Sequence, residues 1–169
     1  ADGLLHRPDL LAEEQTLQLF MQLAGRAGRG SLPGKVYVQT YSPDHPVIQY
    51  LVNGSYEQFL VEESKTRQQA GLVPFSRACL IRLSSGASST TSSAANTLAE
   101  HIRPLCDLKG WSLIGPAPAL VERVAGKSRW QILLHGPELS PLPLPKIEKL
   151  WQFLPKGVTI SINPDPLSL

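Results

Sequence analysis

The chain is short of cysteine, methionine and net charge, and each shortage excludes something. Two cysteines in 169 residues, Cys79 and Cys106, permit neither a disulfide framework nor a four-thiolate zinc site. Sixteen Lys and Arg against 14 Asp and Glu leave a net charge of +2. That balance excludes a highly charged disordered tail and argues against a wholly electrostatic nucleic-acid coat. No apolar run approaches the roughly 18 residues of a membrane span, and no signal peptide is visible. Self-similarity at a period of about 20 to 50 residues is also missing. The expectation is a soluble, cytoplasmic, monomeric protein. Its four histidines, His6, His45, His101 and His135, are scattered away from one another and from the cysteines, so no metal site is assigned. The Gly-x-Ser-x-Gly elbow of serine hydrolases does not occur. There is no self-contained active site.

What the chain has in excess is proline, 15 residues, which implies many short elements with hard stops. Apolar residues make up 42%, enough for a real core in one ordinary domain or a small domain with an appendage. The chain opens on Ala1 rather than Met, close to the apolar Gly3-Leu4-Leu5. It therefore reads as a fragment of a longer protein.

Residues 12–24 have helical periodicity in Leu17, Phe20, Met21 and Ala24, with Glu13 and Glu14 suited to the first turn and Gly25 as the stop. A flexible basic loop should follow, then an alternating strand from Lys35 to Tyr41. One helix and one strand cannot enclose a core, so residues 1–41 look like the end of a larger α/β domain. Residues 42–71 read as a helical connector. A short helix begins near Pro46 and ends at Asn53-Gly54, and a second runs from about Ser55 to Ala70 with a Glu63–Arg67 pair.

Residues 72–169 have a distinct order. A strand at 76–83 precedes a mobile Ser/Thr/Gly loop at 84–93 and a helix at 94–103 closed by Pro104. A strand at 111–114 stops at Gly115-Pro116-Ala117-Pro118. A hairpin of 120–124 with 129–135, a helix at 145–154 and a last strand at 158–162 complete the segment. Merging the 111–114 strand with the first hairpin arm gives β-α-β-β-α-β, the split βαβ or ferredoxin-like order. The fold class is α/β in the α+β sense.

The densest chemical signal is Gln22-Leu23-Ala24-Gly25-Arg26-Ala27-Gly28-Arg29. Its bland reading is a helix end followed by a basic loop. Two arginines three apart, each preceded by glycine, also offer two guanidinium forks where the backbone can approach a phosphate. Gln22, four residues before Arg26, can orient a water or a phosphate oxygen. A second motor lobe brings such groups to a departing γ-phosphate. The candidate catalytic residues are accordingly Arg26, Arg29 and Gln22, with Gly25 and Gly28 shaping the nucleotide-binding loop. A weaker signal is the hairpin turn with Lys127, Arg129 and Trp130, where cations beside an aromatic suit single-stranded nucleic acid.

Gln22–Arg29 resembles the final motif of superfamily 2 helicases. Other stretches resemble the family of primosomal replication-restart helicases along nearly the whole chain. They include Pro33-Gly34-Lys35-Val36, Val73-Pro74-Phe75, Gly115-Pro116-Ala117-Pro118-Ala119, Arg129-Trp130-Gln131-Ile132-Leu133-Leu134 and Asp165-Pro166. The resemblance implies an ATP- and Mg²⁺-dependent 3′-to-5′ DNA helicase that recognises stalled forks and restarts replication. It makes residues 1–41 the end of a RecA-like motor lobe and places a ribosomal-protein-like domain at 72–169. It also puts the nucleotide-binding Lys loop and the zinc-binding cysteines before this segment. Forked and single-stranded DNA, single-stranded-DNA-binding protein and primosome proteins are the implied partners. One departure is Asn163-Pro164-Asp165-Pro166, where the family more often has an acidic residue and then Val, which puts the end of the last strand in doubt. The alternative class is a non-catalytic nucleic-acid-binding or protein-interaction module.

Overall fold

A computed structural model describes residues 2–5, 11–27 and 34–166, apart from the side chains of residues 4, 147 and 148. The chain divides into two compact units, one ending at Gln69 and one spanning Ala70–Pro166.

The first unit contains α1 (Asp2–Leu5), α2 (Ala12–Ala27), α3 (Pro46–Asn53) and α4 (Tyr56–Gln69). Its core joins Leu5, Leu17 and Phe20 to Val47, Ile48 and Phe59. Residues 46–59 thus share one apolar centre with α2, although the sequence divides at 41. Pro46 opens α3 where no N–H is needed, and the Val47 N–H donates to His45 Nδ1 at 3.3 Å. Glu63 and Arg67 pair at 2.7 Å along α4, as their spacing predicts.

Two expectations for this unit fail. Helix α2 does not stop at Gly25 but continues to Ala27. A side chain at Gly25 would meet nothing within 4 Å, so this glycine relieves no crowding and only weakens the exposed last turn. The anticipated strand at 35–41 is also missing: residues 34–40 carry no regular secondary structure. Alternation marks a segment's sides, but a strand needs a hydrogen-bonded neighbour, and the described residues supply none. Instead Asp2 anchors the segment, accepting bonds from Thr40 Oγ1 at 2.6 Å and the Tyr41 N–H at 3.1 Å.

The second unit is β1 (Ser76–Ser85), α5 (Ser88–Lys109), β2 (Ser112–Val124), β3 (Lys127–Pro137), α6 (Ile147–Gln152) and β4 (Thr159–Pro164). The sheet is antiparallel in the order β2-β3-β1-β4. This is the split βαβ arrangement expected from the order of elements. Strand β1, paired on both sides, is almost wholly buried, whereas the edge strand β2 is mostly exposed. Cys79, Ile81 and Leu83 of β1 and Ile132 and Leu134 of β3 meet Ala95, Leu98 and Ile102 of α5 and Leu150 of α6. Both helices therefore cover the same face.

The Ser/Thr stretch is not a loop. Ser84 and Ser85 finish β1, and α5 begins at Ser88. Low helix propensity in this run is overridden by burial of Thr91, Ala94 and Ala95. Thr91 Oγ1 donates to the Ala87 carbonyl at 2.9 Å and lies 2.6 Å from Ser85 Oγ, which fixes the helix start. Pro104 does not close α5 either; the helix runs on to Lys109, and Cys106 lies within it. The carbonyl that a residue-104 N–H would have reached belongs to exposed Glu100, where water can satisfy it. Fully buried Ile102 and Cys106 on either side offset the lost bond. Nor does Gly115-Pro116-Ala117-Pro118 end a strand. It lies inside β2, at register shifts on either side of Ala117 and Pro118.

Between β2 and β3 the two linking residues, Ala125 and Gly126, both have positive φ, 50° and 77°. That is the backbone twist of a two-residue hairpin. At the far end of β3, the Trp111 ring lies where a side chain on Gly136 would stand. Its Nε1 donates to Ser140 Oγ at 2.9 Å, tying the chain beyond β3 to the end of α5.

The end of β4 holds despite Pro164. Asp165 (φ 47°) turns the chain so that its N–H donates to the Ala78 carbonyl at 2.7 Å. Its carboxylate accepts the Ala78 N–H at 3.1 Å and Arg77 Nη2 at 2.9 Å. The Arg77 bond, opposed by burial and aided by Ala78, holds the Asp165 carboxyl below its ordinary value. A carboxyl depressed by folding adds stability above its unfolded pKa and loses it as pH falls through the folded one. Asp165→Asn should therefore melt a few degrees lower than wild type at pH 7, and the gap should close as pH falls below 3.8, followed by thermal circular dichroism. Gly136→Ala should destabilise the unit by about 1–3 kcal/mol through collision with the Trp111 ring, measured by urea unfolding.

Candidate functional site

Gln22 and Arg26 lie one helical turn apart near the end of α2, and both are exposed. An i, i+4 pair projects from one helix face, so the structure brings these two candidates together. Glu13 and Glu14 in the first turn and Arg26 in the last turn all complement the helix dipole. Gly25 is exposed between Gln22 and Arg26 in the chain. Gly28 and Arg29 lie outside the described residues.

The hairpin candidates separate. Alternation along β3 puts Lys127 and Arg129 on one face of the sheet and Trp130 on the other. Trp130 packs against the core beneath α5, and its Nε1 is buried without a hydrogen-bond partner. It is not an exposed stacking platform. Ser128, next to Lys127, is fully buried. Although Gly126-Lys127-Ser128 has the ending of a phosphate loop, the first glycine of that motif is replaced by Val121, and the residues form a tight hairpin turn.

The residue that sequence reasoning missed is Arg82. It sits mid-way along the central strand, on the face opposite the helices, paired with Gln131 of β3. Its Nε is buried and has no partner. Burial, then the neighbouring Arg129, lowers its pKa from the ordinary arginine value. The available signal was a charge inside the apolar run Cys79-Leu80-Ile81-Arg82-Leu83.

Other titratable groups are accounted for structurally. His135 Nε2 lies 2.9 Å from the Gly71 carbonyl and 3.0 Å from Ser76 Oγ. His101 contacts the Thr97 carbonyl through Nδ1 at 2.7 Å and packs on Phe153. Cys79 and Cys106 are free and buried; burial raises Cys79 to about 11 and also raises Cys106. These are unreactive core thiols. Among the described residues, no three His, Cys, Asp or Glu side chains gather as a metal site would require, and no helix is long and apolar enough to cross a membrane.

The described residues thus define an α+β domain built on a split βαβ sheet, preceded in the sequence by a helical unit that carries Gln22 and Arg26 near the end of α2. The family described as the primosomal protein N C-terminal domain matches residues 68–166, and the chain belongs to that family. Relatives named replication restart protein PriA match along the chain. That of Synechocystis sp. is 36% identical, covering all of this chain and 20% of its own length. The Haemophilus influenzae protein is 36% identical over 83% of this chain and 19% of its own length. The Bacillus subtilis protein is 32% identical over 98% and 21%. The chain thus spans about one fifth of these relatives.

Because Trp130 packs inward, Trp130→Leu should lower the melting temperature of the second unit by several degrees, checked by calorimetry.

Proposed function

We propose that this chain is the C-terminal part of an ATP-dependent 3′-to-5′ DNA helicase that acts at stalled replication forks and restarts replication. The observation that carries the reading is the Gln22/Arg26 face at the end of α2, set in the pattern Q-x-x-G-R-x-G-R and followed by Arg29. The name of the relatives, replication restart protein PriA, supports it. In this reading residues 1–41 end a RecA-like motor lobe, residues 42–71 connect, and residues 72–169 form a domain that docks DNA or other restart proteins. Forked and single-stranded DNA, single-stranded-DNA-binding protein and primosome components are the partners.

The residues present fit one part of nucleotide hydrolysis. ATP with Mg²⁺, when bound in the intact protein, supplies the phosphoryl group and the metal that neutralises it. Gln22 orients a water or phosphate oxygen, and Arg26 and Arg29 bring positive charge to the γ-phosphate. Their planar forks suit phosphate oxygens better than an ammonium would. A phosphate-cradling Lys loop and a carboxylate motif for Mg²⁺ are not found in this sequence, and the zinc ligands of the family are likewise assigned elsewhere.

The isolated chain should hydrolyse no ATP. In the intact helicase, Arg29→Ala and Arg26→Ala should each reduce DNA-stimulated turnover by up to about 10³- to 10⁵-fold, the worth of an arginine finger. DNA affinity, measured in parallel, should stay nearly unchanged, and Arg29→Lys should restore little. Turnover within a few-fold of wild type in both alanine variants would reduce Gln22–Arg29 to a helix end and a basic loop.

A further inference from the structure

We propose that the face of the four-stranded sheet opposite α5 and α6, centred on Arg82 and Arg129, binds the phosphodiester backbone of single-stranded DNA. This rests on the DNA-docking reading of the C-terminal domain and moves the site from the hairpin turn onto the sheet.

The cross-strand register sets Arg82 opposite Gln131 and Ser84 opposite Arg129. Arg82 and Arg129 are therefore diagonal neighbours, about 7–8 Å apart at the backbone. Lys127 continues the row on β3, two residues from Arg129, a rise of about 6.8 Å. Strands β1, β3 and β4 contain no Asp or Glu at all. The second unit does pair an arginine where a carboxylate is available, as Arg77 with Asp165 shows. Among the described residues Arg82 and Arg129 have no such partner, and Arg82 Nε is shut away from water.

Two guanidinium groups held close, one partly desolvated and neither paired, repel each other and lack acceptors. An anion lying between them removes both costs. A phosphate oxygen meets the guanidinium fork with matching geometry. A row of cations along β3 suits an anion whose charges repeat along a chain.

Around Arg82 and Arg129 the register sets Gln131, Ser84, Thr159, Ser161 and Asn163, with buried Leu80 and the apolar Leu133 and Ile114 toward the other end of β3. Among the described strand residues on this face, none is Trp, Tyr or Phe. Without an aromatic to stack on a base, binding should read phosphate and ignore sequence. An acidic peptide shares the anionic chemistry, but tight peptide sites centre on an apolar or aromatic anchor, whereas the cations here surround Gln131 and Ser84 and the apolar Leu133 and Ile114 lie apart, toward the other end of β3.

The test uses the complete 169-residue chain and short fluorescein-labelled oligo(dT) in anisotropy titrations across a salt series. A polyglutamate peptide serves as the second probe. Combined Arg82→Gln and Arg129→Gln should weaken oligo(dT) binding about tenfold at low salt and flatten the log–log salt slope by about 1.4, two contacts at 0.7 each. The double Lys variant should recover part of the affinity. Arg82→Gln should melt no lower than wild type, whereas a merely structural arginine would leave a less stable fold. Arg129→Gln, altering a half-buried side chain, gives a reading even if position 82 proves sensitive.

Wild-type binding that is unchanged in affinity and slope in the double Gln variant overturns the sheet-face site and leaves DNA docking standing. Failure of wild type to bind oligo(dT) overturns the docking reading itself. Polyglutamate binding that depends on Arg82 and Arg129, with oligo(dT) excluded, makes the face a protein-docking surface and overturns the proposal.

Discussion

The C-terminal unit is organised by one constraint: strand β1 must be hydrogen-bonded on both edges and packed on its helix-facing side. That requirement places β3 and β4 beside it and brings α5 across Ile81 and Leu83. Once β1 occupies the centre, β2 becomes an edge, and the hairpin joining it to β3 carries Lys127 and Arg129 on the face opposite the helices. The same constraint strands Arg82. A position that alternation assigns to the side away from the helices lies too deep in the sheet for full hydration, so its Nε is left dry and without a partner.

The two candidate chemistries use different physical supports. Gln22 and Arg26 depend on helix periodicity and little else, being exposed side chains one turn apart, with Arg26 on the last turn, where the dipole favours a cation. Arg82 and Arg129 depend on register. A one-residue slip of β3 against β1 would move Arg129 to the core face and Trp130 outward. The buried Ile132 and Leu134, opposite Ile81 and Cys79, prevent that slip.

Much of this architecture was legible where one periodicity dominated. Ile132 and Leu134 alternate with Gln131 and Leu133, and Ala125-Gly126 marks a turn, so β3 and its hairpin could be read directly. Helix α5 was only half legible, because Ser84–Ser93 has the composition of a loop. Contact of Thr91, Ala94 and Ala95 with the sheet, invisible in local sequence, decides its state. Pro104 misled for the same reason: the local cost is real, but flanking burial exceeds it. The segment at 35–41 shows the reverse error, in which pattern suggested a strand that no described neighbour completes. Within the candidate sites, the Gln22–Arg26 spacing was enough to place both on one face. Arg82 escaped notice because an arginine in a strand ordinarily marks the watered side, and only the structure reveals that its Nε is dry.

The abundance of proline acquires a different meaning once its positions in the sheet are known. Pro116 and Pro118 lie in the outer strand β2 and Pro164 at the end of the outer strand β4, while the central strand β1 contains none. Each lacks the N–H that an incoming strand would use as a template. The two margins of the sheet are thereby made poor surfaces for strand addition, and the antiparallel ladder stops at four. A domain with apolar Ile114, Leu120 and Val121 exposed along one border would otherwise invite its copies to join edge to edge. Its prolines oppose such pairing through the backbone rather than through surface charge.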